Sequence, residues 1–141
     1  MKRKASAVWK GDLKNGKGAI STNSGVLSNT QYSFSTRFED GAGTNPEELV
    51  AAAHAGCFSM ALSAQLANAG MVAESINTAA TLTMEKLKTG WTVTEINLDV
   101  SAKIPGAERS TFETAAKNAK EGCPISRLLN AKITMDAKLQ S

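Results

Sequence analysis

Residues 44–70 read TNPEELVAAAHAGCFSMALSAQLANAG, and how this stretch folds decides the architecture. Asn45 is a capping residue, Pro46 suits the first helical position, and Glu48 stands where a capping-box carboxylate reaches back. No charged residue occurs from Val50 to Ala69, and Gly70 is a C-terminal cap. Leu49, Ala53, Gly56 and Met60 fall along one side, and Ala55, Phe58, Leu62 and Leu66 along another. A helix apolar nearly all round is buried by protein or spans a membrane. His54, Ser59, Ser63, Gln65 and Asn68 make this one too polar for a span. About 24 helical residues run about 36 Å, more than a short strand meander can cover on every side. The expectation is an obligate homodimer in which a second copy supplies the cover, with Ala53 and Gly56 allowing helices to approach closely.

Length and composition bound the rest. The 141 residues, 42% hydrophobic and 21% charged, suit one soluble domain with an aliphatic core, since aromatics are only 5%. The net charge of +3 is mild, and the basic start Lys2-Arg3-Lys4 lacks the clustered arginines and aromatics of a nucleic-acid footprint, so no nucleic-acid partner is expected. That start runs into ASAVWKGD rather than an apolar signal segment, which points to a cytoplasmic home. In a reducing compartment two widely separated cysteines are inert thiols or a redox pair, not a structural staple.

In chain order, residues 5–13 and 17–22 read as strands joined by Lys14-Asn15-Gly16, an Asn-Gly hairpin signal. QYSFSTRF then alternates as a third strand ending at Arg37. After the helix, residues 74–87 and 91–104 form a second hairpin around Lys88-Thr89-Gly90. Its second arm switches faces near Thr94-Glu95, which predicts a bulge. Ser110-Thr111-Phe112-Glu113 is a capping-box pattern opening a helix to about Glu121. Cys123-Pro124 starts a short helix, ISRLLN, and Lys132 to Gln140 closes the chain as a strictly alternating strand. The plan is βββ-α-ββ-αα-β, an α+β fold in a single domain over 1–141. It divides into an N-terminal meander (1–43), the central helix (44–70) and an αβ C-terminal half (71–141).

The candidate chemistry is sulfur chemistry. Taken alone, Cys57 reads as a small buried hydrophobe. Cys123 reads as the better nucleophile, because it precedes a Pro-started helix whose amides favour a thiolate. His54 lies one turn before Cys57 on the same side; it can serve as a base or simply fill an interface. Two cysteines and one histidine make a poor zinc site, so neither metal nor cofactor is expected. A buried thiol needs a nearby cation to react, and arginine stays charged when buried. Arg37 is that candidate, with Glu47 as the carboxylate to hold it. On one straight helix Glu47 and Cys57 stand about 15 Å apart along the axis, so Glu47 cannot reach its own Cys57 directly; if two such helices pack antiparallel in a dimer, it could approach the partner's site.

TNPEELVAAAHAGCFSMAL (44–62), GCPISRLL (122–129) and YSFSTRFE (32–39) together resemble the OsmC/Ohr family of thiol-dependent hydroperoxide peroxidases over nearly the whole chain. The resemblance implies an intertwined homodimer with active sites at the interface. It implies Cys57 as peroxidatic and Cys123 as resolving cysteine, which reverses the ranking of the two residues taken singly. Arg37 and Glu47 match the family's charged pair that activates the thiolate. Close relatives have tyrosine where His54 stands, so no essential role is implied for His54, and Gly56, where alanine is commoner, touches none of the four. The implied activity is reduction of organic hydroperoxides to alcohols in oxidative or osmotic stress defence. It proceeds through a Cys57 sulfenic acid and a Cys57–Cys123 disulfide that an external dithiol or lipoylated protein reduces. The alternative is a stress protein that senses redox state or binds a small molecule without catalysis.

Overall fold

Strands β1 (Ala5–Lys10), β2 (Lys17–Thr22) and β3 (Thr30–Tyr32) form an antiparallel sheet in the order β1-β2-β3. The computed structural model describes residues 1–140 and falls into two compact units, Met1–Leu49 and the remainder from Val50.

In the first unit the strands are shorter than the alternation suggests. The loop between β1 and β2 runs from Gly11 to Gly16, since Lys10 already pairs with Lys17. Asp12 organises it: its carboxylate accepts the amides of Lys14 at 3.0 Å and Asn15 at 2.9 Å, and its carbonyl accepts the Gly16 amide at 2.8 Å. This aspartate-capped turn, entered through Gly11 at φ +94°, displaces the expected Asn-Gly hairpin. QYSFSTRF is likewise not one strand. Pairing stops at Tyr32, and Phe34–Phe38 form a short helix, α1. Ser33 caps it reciprocally with Thr36, at 2.9 Å and 3.3 Å, and Phe34 stacks on Phe38 one turn on at 4.9 Å between centroids. Local capping and an i,i+4 aromatic pair outweigh the strand-like alternation. Arg37 is therefore on a helix, not at a strand end.

The long helix, α2 (Pro46–Asn68), starts and stops as expected. Asn45 Oδ1 accepts the Glu48 amide at 2.8 Å, although the Glu48 carboxylate takes the Thr44 hydroxyl at 2.9 Å rather than reaching back to the cap. Gly70, at φ +75°, closes a Schellman motif: the Met71 amide bonds to Leu66 at 2.9 Å and the Gly70 amide to Ala67 at 3.0 Å. The buried side chains of α2 are a single stripe, His54, Phe58, Leu62 and Leu66. The opposite side is exposed among the described residues. Met60 is 77% exposed, and a methyl added at Gly56 would meet nothing within 4 Å. By length and composition alone α2 would also suit a membrane span.

In the second unit β4 (Ser75–Leu87), β5 (Gly90–Lys103) and β6 (Lys132–Gln140) form a sheet in that order, with β5 central. The register steps between Thr83 and Met84 so that Thr94 is skipped in the strand register, the bulge expected from the face switch. Beyond it Ile96, Leu98, Val100 and Ala102 line one buried face, joined by Ile104. β6 runs parallel to β5, Ile96 beside Ile133, and so needs a crossover. Helices α3 (Arg109–Gly122) and α4 (Pro124–Leu128) supply it. The Ser110 capping box does not form. Glu108 is the cap residue, Ser110 lies inside the first turn, and Glu113 pairs with Arg109 at 2.9 Å. Phe58, Leu62 and Leu66 of α2 join Phe112, Ala115, Ala116 and Ala119 of α3 and the β5 residues in one core.

Candidate active site

Cys57 sits mid-way along α2, one position before the buried Phe58, and Cys123 is the residue at which α3 ends and α4 begins. Both are free thiols, and their sulfurs share a hydrogen bond 2.8 Å long. That is well beyond the ~2.05 Å of a disulfide and within reach of forming one. The exposures reverse what the residues suggest singly. Cys123 is fully buried and Cys57 is only partly covered. Nor does the Cys123 side chain cap α4, a helix of 5 residues, although Cys123 is its N-cap residue.

Burial pushes the Cys57 thiol above its ordinary pKa. The adjoining Cys123 adds to this, because a proton shared between the sulfurs is harder to remove and a second thiolate would be repelled. The backbone N–H of Ile125, in the first turn of α4, bonds to the same sulfur and pulls the other way. The net direction is upward, so this chain's second unit holds Cys57 as a thiol, and a reactive thiolate requires a cation.

His54 makes no hydrogen bond to Cys57. Its Nε2 bonds to Ser126 Oγ at 2.7 Å, and among the described residues Nδ1 has no partner. The ring is fully buried and its pKa is depressed by desolvation, which favours the neutral imidazole. No three His, Cys, Asp or Glu side chains among the described residues gather as a metal site.

Arg37 and Glu47 meet within the first unit. Arg37 Nη2 and Nε donate to Glu47 Oε1 at 2.6 Å and 3.0 Å, and Nε also reaches Oε2 at 3.1 Å. Asn45 sets the pair by joining the two helices that carry it. Its Nδ2 donates to the Thr36 carbonyl of α1 at 2.9 Å while its Oδ1 caps α2. Arg37 also forms a wall of a cleft of about 240 Å³ lined by Trp9, Leu13, Tyr32, Phe34 and Phe38, an apolar slot beside a fixed positive charge.

The structure thus brings together both sequence-predicted pairs, sulfur with sulfur and arginine with carboxylate. Ser126, the Ile125 amide and the second bond of Asn45 escape sequence reasoning. The one available signal is a lone hydroxyl inside the otherwise aliphatic and basic PISRL.

Residues 39–138 match the OsmC-like protein family. The chain is 50% identical to the peroxiredoxin OsmC of Escherichia coli strain K12 over 139 residues, covering 99% of this chain and 97% of that protein. Its fold is similar to a solved OsmC-like protein from Mycoplasma pneumoniae, with TM-score 0.78 at 14% identity over 100% of this chain and 99% of that one. It is also similar to the organic hydroperoxide resistance protein OhrB of Bacillus subtilis, with TM-score 0.69 at 21% identity over 97% and 98% of the two chains.

Proposed function

This chain belongs to the OsmC-like protein family, and on that premise we propose that it is a cysteine-based peroxidase reducing organic hydroperoxides to alcohols. The observation that carries the proposal is the pair of free thiols 2.8 Å apart, one partly exposed and one buried. Cys57 thiolate attacks the terminal oxygen of the peroxide; an S–O bond forms, the O–O bond breaks, and the alkoxide leaves and takes up a proton as the alcohol. Cys123 then attacks the Cys57 sulfur; an S–S bond forms, the S–O bond breaks, and the oxygen leaves as water. An external dithiol, free or carried as lipoyl on a protein, takes up the oxidising equivalents by exchange and restores both thiols.

Arg37 supplies the cation that Cys57 requires, and Glu47 orients it. The axial rise between Glu47 and Cys57 on α2, about 15 Å, favours supply across a homodimer. Two further observations support that dimer. No apolar side chain among residues 1–49 is buried, which a three-stranded sheet cannot sustain alone. The Gly56–Met60 side of α2 is bare. The aromatic cleft beside Arg37 suits a hydrocarbon tail better than hydrogen peroxide. A cytoplasmic setting keeps the thiols reduced between turnovers.

Counting free thiols before and after one equivalent of cumene hydroperoxide tests the proposal. Loss of two thiols per chain with release of one cumyl alcohol is expected. Retention of both thiols would leave a non-catalytic binding protein, and thiol loss without alcohol a redox sensor.

A further inference from the structure

Two side chains outside that chemistry meet one rung away from the sulfurs. His54 lies three residues before Cys57 on α2, and Ser126 three residues after Cys123 on α4. Residues at that spacing share a helix face. The α4 turn is therefore held to α2 at two neighbouring points, sulfur to sulfur at 2.8 Å and Ser126 Oγ to His54 Nε2 at 2.7 Å.

Something must hold α4, because 5 residues are far too few for a helix to persist unaided. Apolar anchoring is partial: within α4 the buried residue is Ser126 itself and Leu128 is 74% exposed, while Ile125 is half-buried and Leu129, just past the end, packs partly buried on the core. Its N-cap residue, Cys123, contributes no side-chain cap. The His54 bond is correspondingly directional. Ser126 is 8% exposed and His54 fully buried, so neither group can exchange its partner for bulk water without undocking the turn.

We propose that His54 and Ser126 form a latch that positions Cys123 for resolution. The bond keeps the α4 turn against α2 after Cys57 has become a sulfenic acid, so that Cys123 closes the disulfide before a second peroxide drives Cys57 to sulfinic acid. Both are positioning residues; neither touches the peroxide. The inference rests on the peroxidase proposal and deepens it. It divides the outcome at one sulfur between S–S closure, with loss of water, and S–O formation by a second hydroperoxide, with release of a second alcohol.

Full-length reduced protein, treated with cumene hydroperoxide at one and at twenty equivalents and analysed by mass spectrometry, separates these fates. In Ser126→Ala, disulfide closure is expected to slow about tenfold, the effect of one lost hydrogen bond. Sulfinic acid at Cys57 should rise in proportion at high peroxide. Ser126→Thr, which keeps the hydroxyl, should restore closure, and this separates the bond from any general loosening. Wild-type closure rates and sulfinic yields in Ser126→Ala would overturn the latch, as would a Ser126→Thr that behaves like Ser126→Ala while folding normally. Should the wild-type protein itself form no disulfide, the peroxidase proposal fails first, and the two failures are distinct.

Discussion

The Arg37 guanidinium holds Glu47 at 2.6 Å through Nη2 while Nε spans both carboxylate oxygens. With side-chain exposures of 37% and 16%, the pair sits where an ion pair contributes only about 0.2–1 kcal/mol to stability. Its two-point geometry instead fixes the direction of the guanidinium. In the proposed mechanism its charge stabilises the Cys57 thiolate, whose thiol burial pushes above its ordinary pKa.

Removal of that charge by Arg37→Met should move the midpoint of Cys57 alkylation by iodoacetamide upward by about 1–3 pH units. The thiolate is the reacting species, so a higher pKa means slower alkylation and slower peroxide reduction at pH 7. Arg37→Lys keeps the charge but loses the fork, and should fall between the two. An unmoved midpoint in Arg37→Met would remove Arg37 from thiol activation.

The two cysteines should fail differently. Cys57→Ser should abolish peroxide consumption, because the serine hydroxyl is not a comparable nucleophile at neutral pH. Cys123→Ser should consume one equivalent and stop with a dimedone-reactive sulfenic acid at Cys57. Undiminished turnover in Cys57→Ser would sink the mechanism.

Asn45 shows how much of the site was legible in the sequence. The Asn45 cap, the Gly70 stop and the face switch at Thr94 are local signals and hold in the structure, while the expected Glu48 capping box does not form. The alternation of QYSFSTRF competes with a Ser33–Thr36 cap, and Asn15-Gly16 with the Asp12 turn; in each case the side-chain hydrogen bond to backbone prevails. The parallel pairing of β6 with β5 is long-range geometry, and the bond from Asn45 to Thr36 bridges two helices; no periodicity encodes either. Asn45→Asp retains the cap acceptor and loses the donor to Thr36. It should therefore cost little of the roughly 1 kcal/mol a cap contributes, yet lower peroxide turnover by loosening Arg37 and Glu47. Asn45→Ala should lose both. Urea midpoints beside turnover rates check this, and equal activity in wild type and Asn45→Asp would confine Asn45 to capping.

His54 gives a pH dependence with a definite sign. Desolvation depresses its pKa, so below about 6.5 the unfolded chain binds a proton that the folded chain refuses. The stability attributable to His54 is fully present above that pH and is lost as pH falls toward the folded pKa, at about 1.4 kcal/mol per unit. The stability difference between wild type and His54→Gln should therefore shrink between pH 7.5 and 5. Parallel stability curves over that range would mean that His54 does not titrate differently on folding.

Gly56 separates a covered α2 from a bare one. Within one chain nothing lies within 4 Å of an added methyl, so replacement of glycine should strengthen the helix by up to about 1 kcal/mol. If a second copy packs on this side, as the dimer proposal requires, Gly56→Leu must push the helices apart. The variant should then sediment as a monomer or a weakened dimer, and lose peroxide turnover with both thiols intact. A fully dimeric, more stable and active Gly56→Leu would show that this face of α2 is not the contact, and the cover for residues 1–49 would have to come from elsewhere.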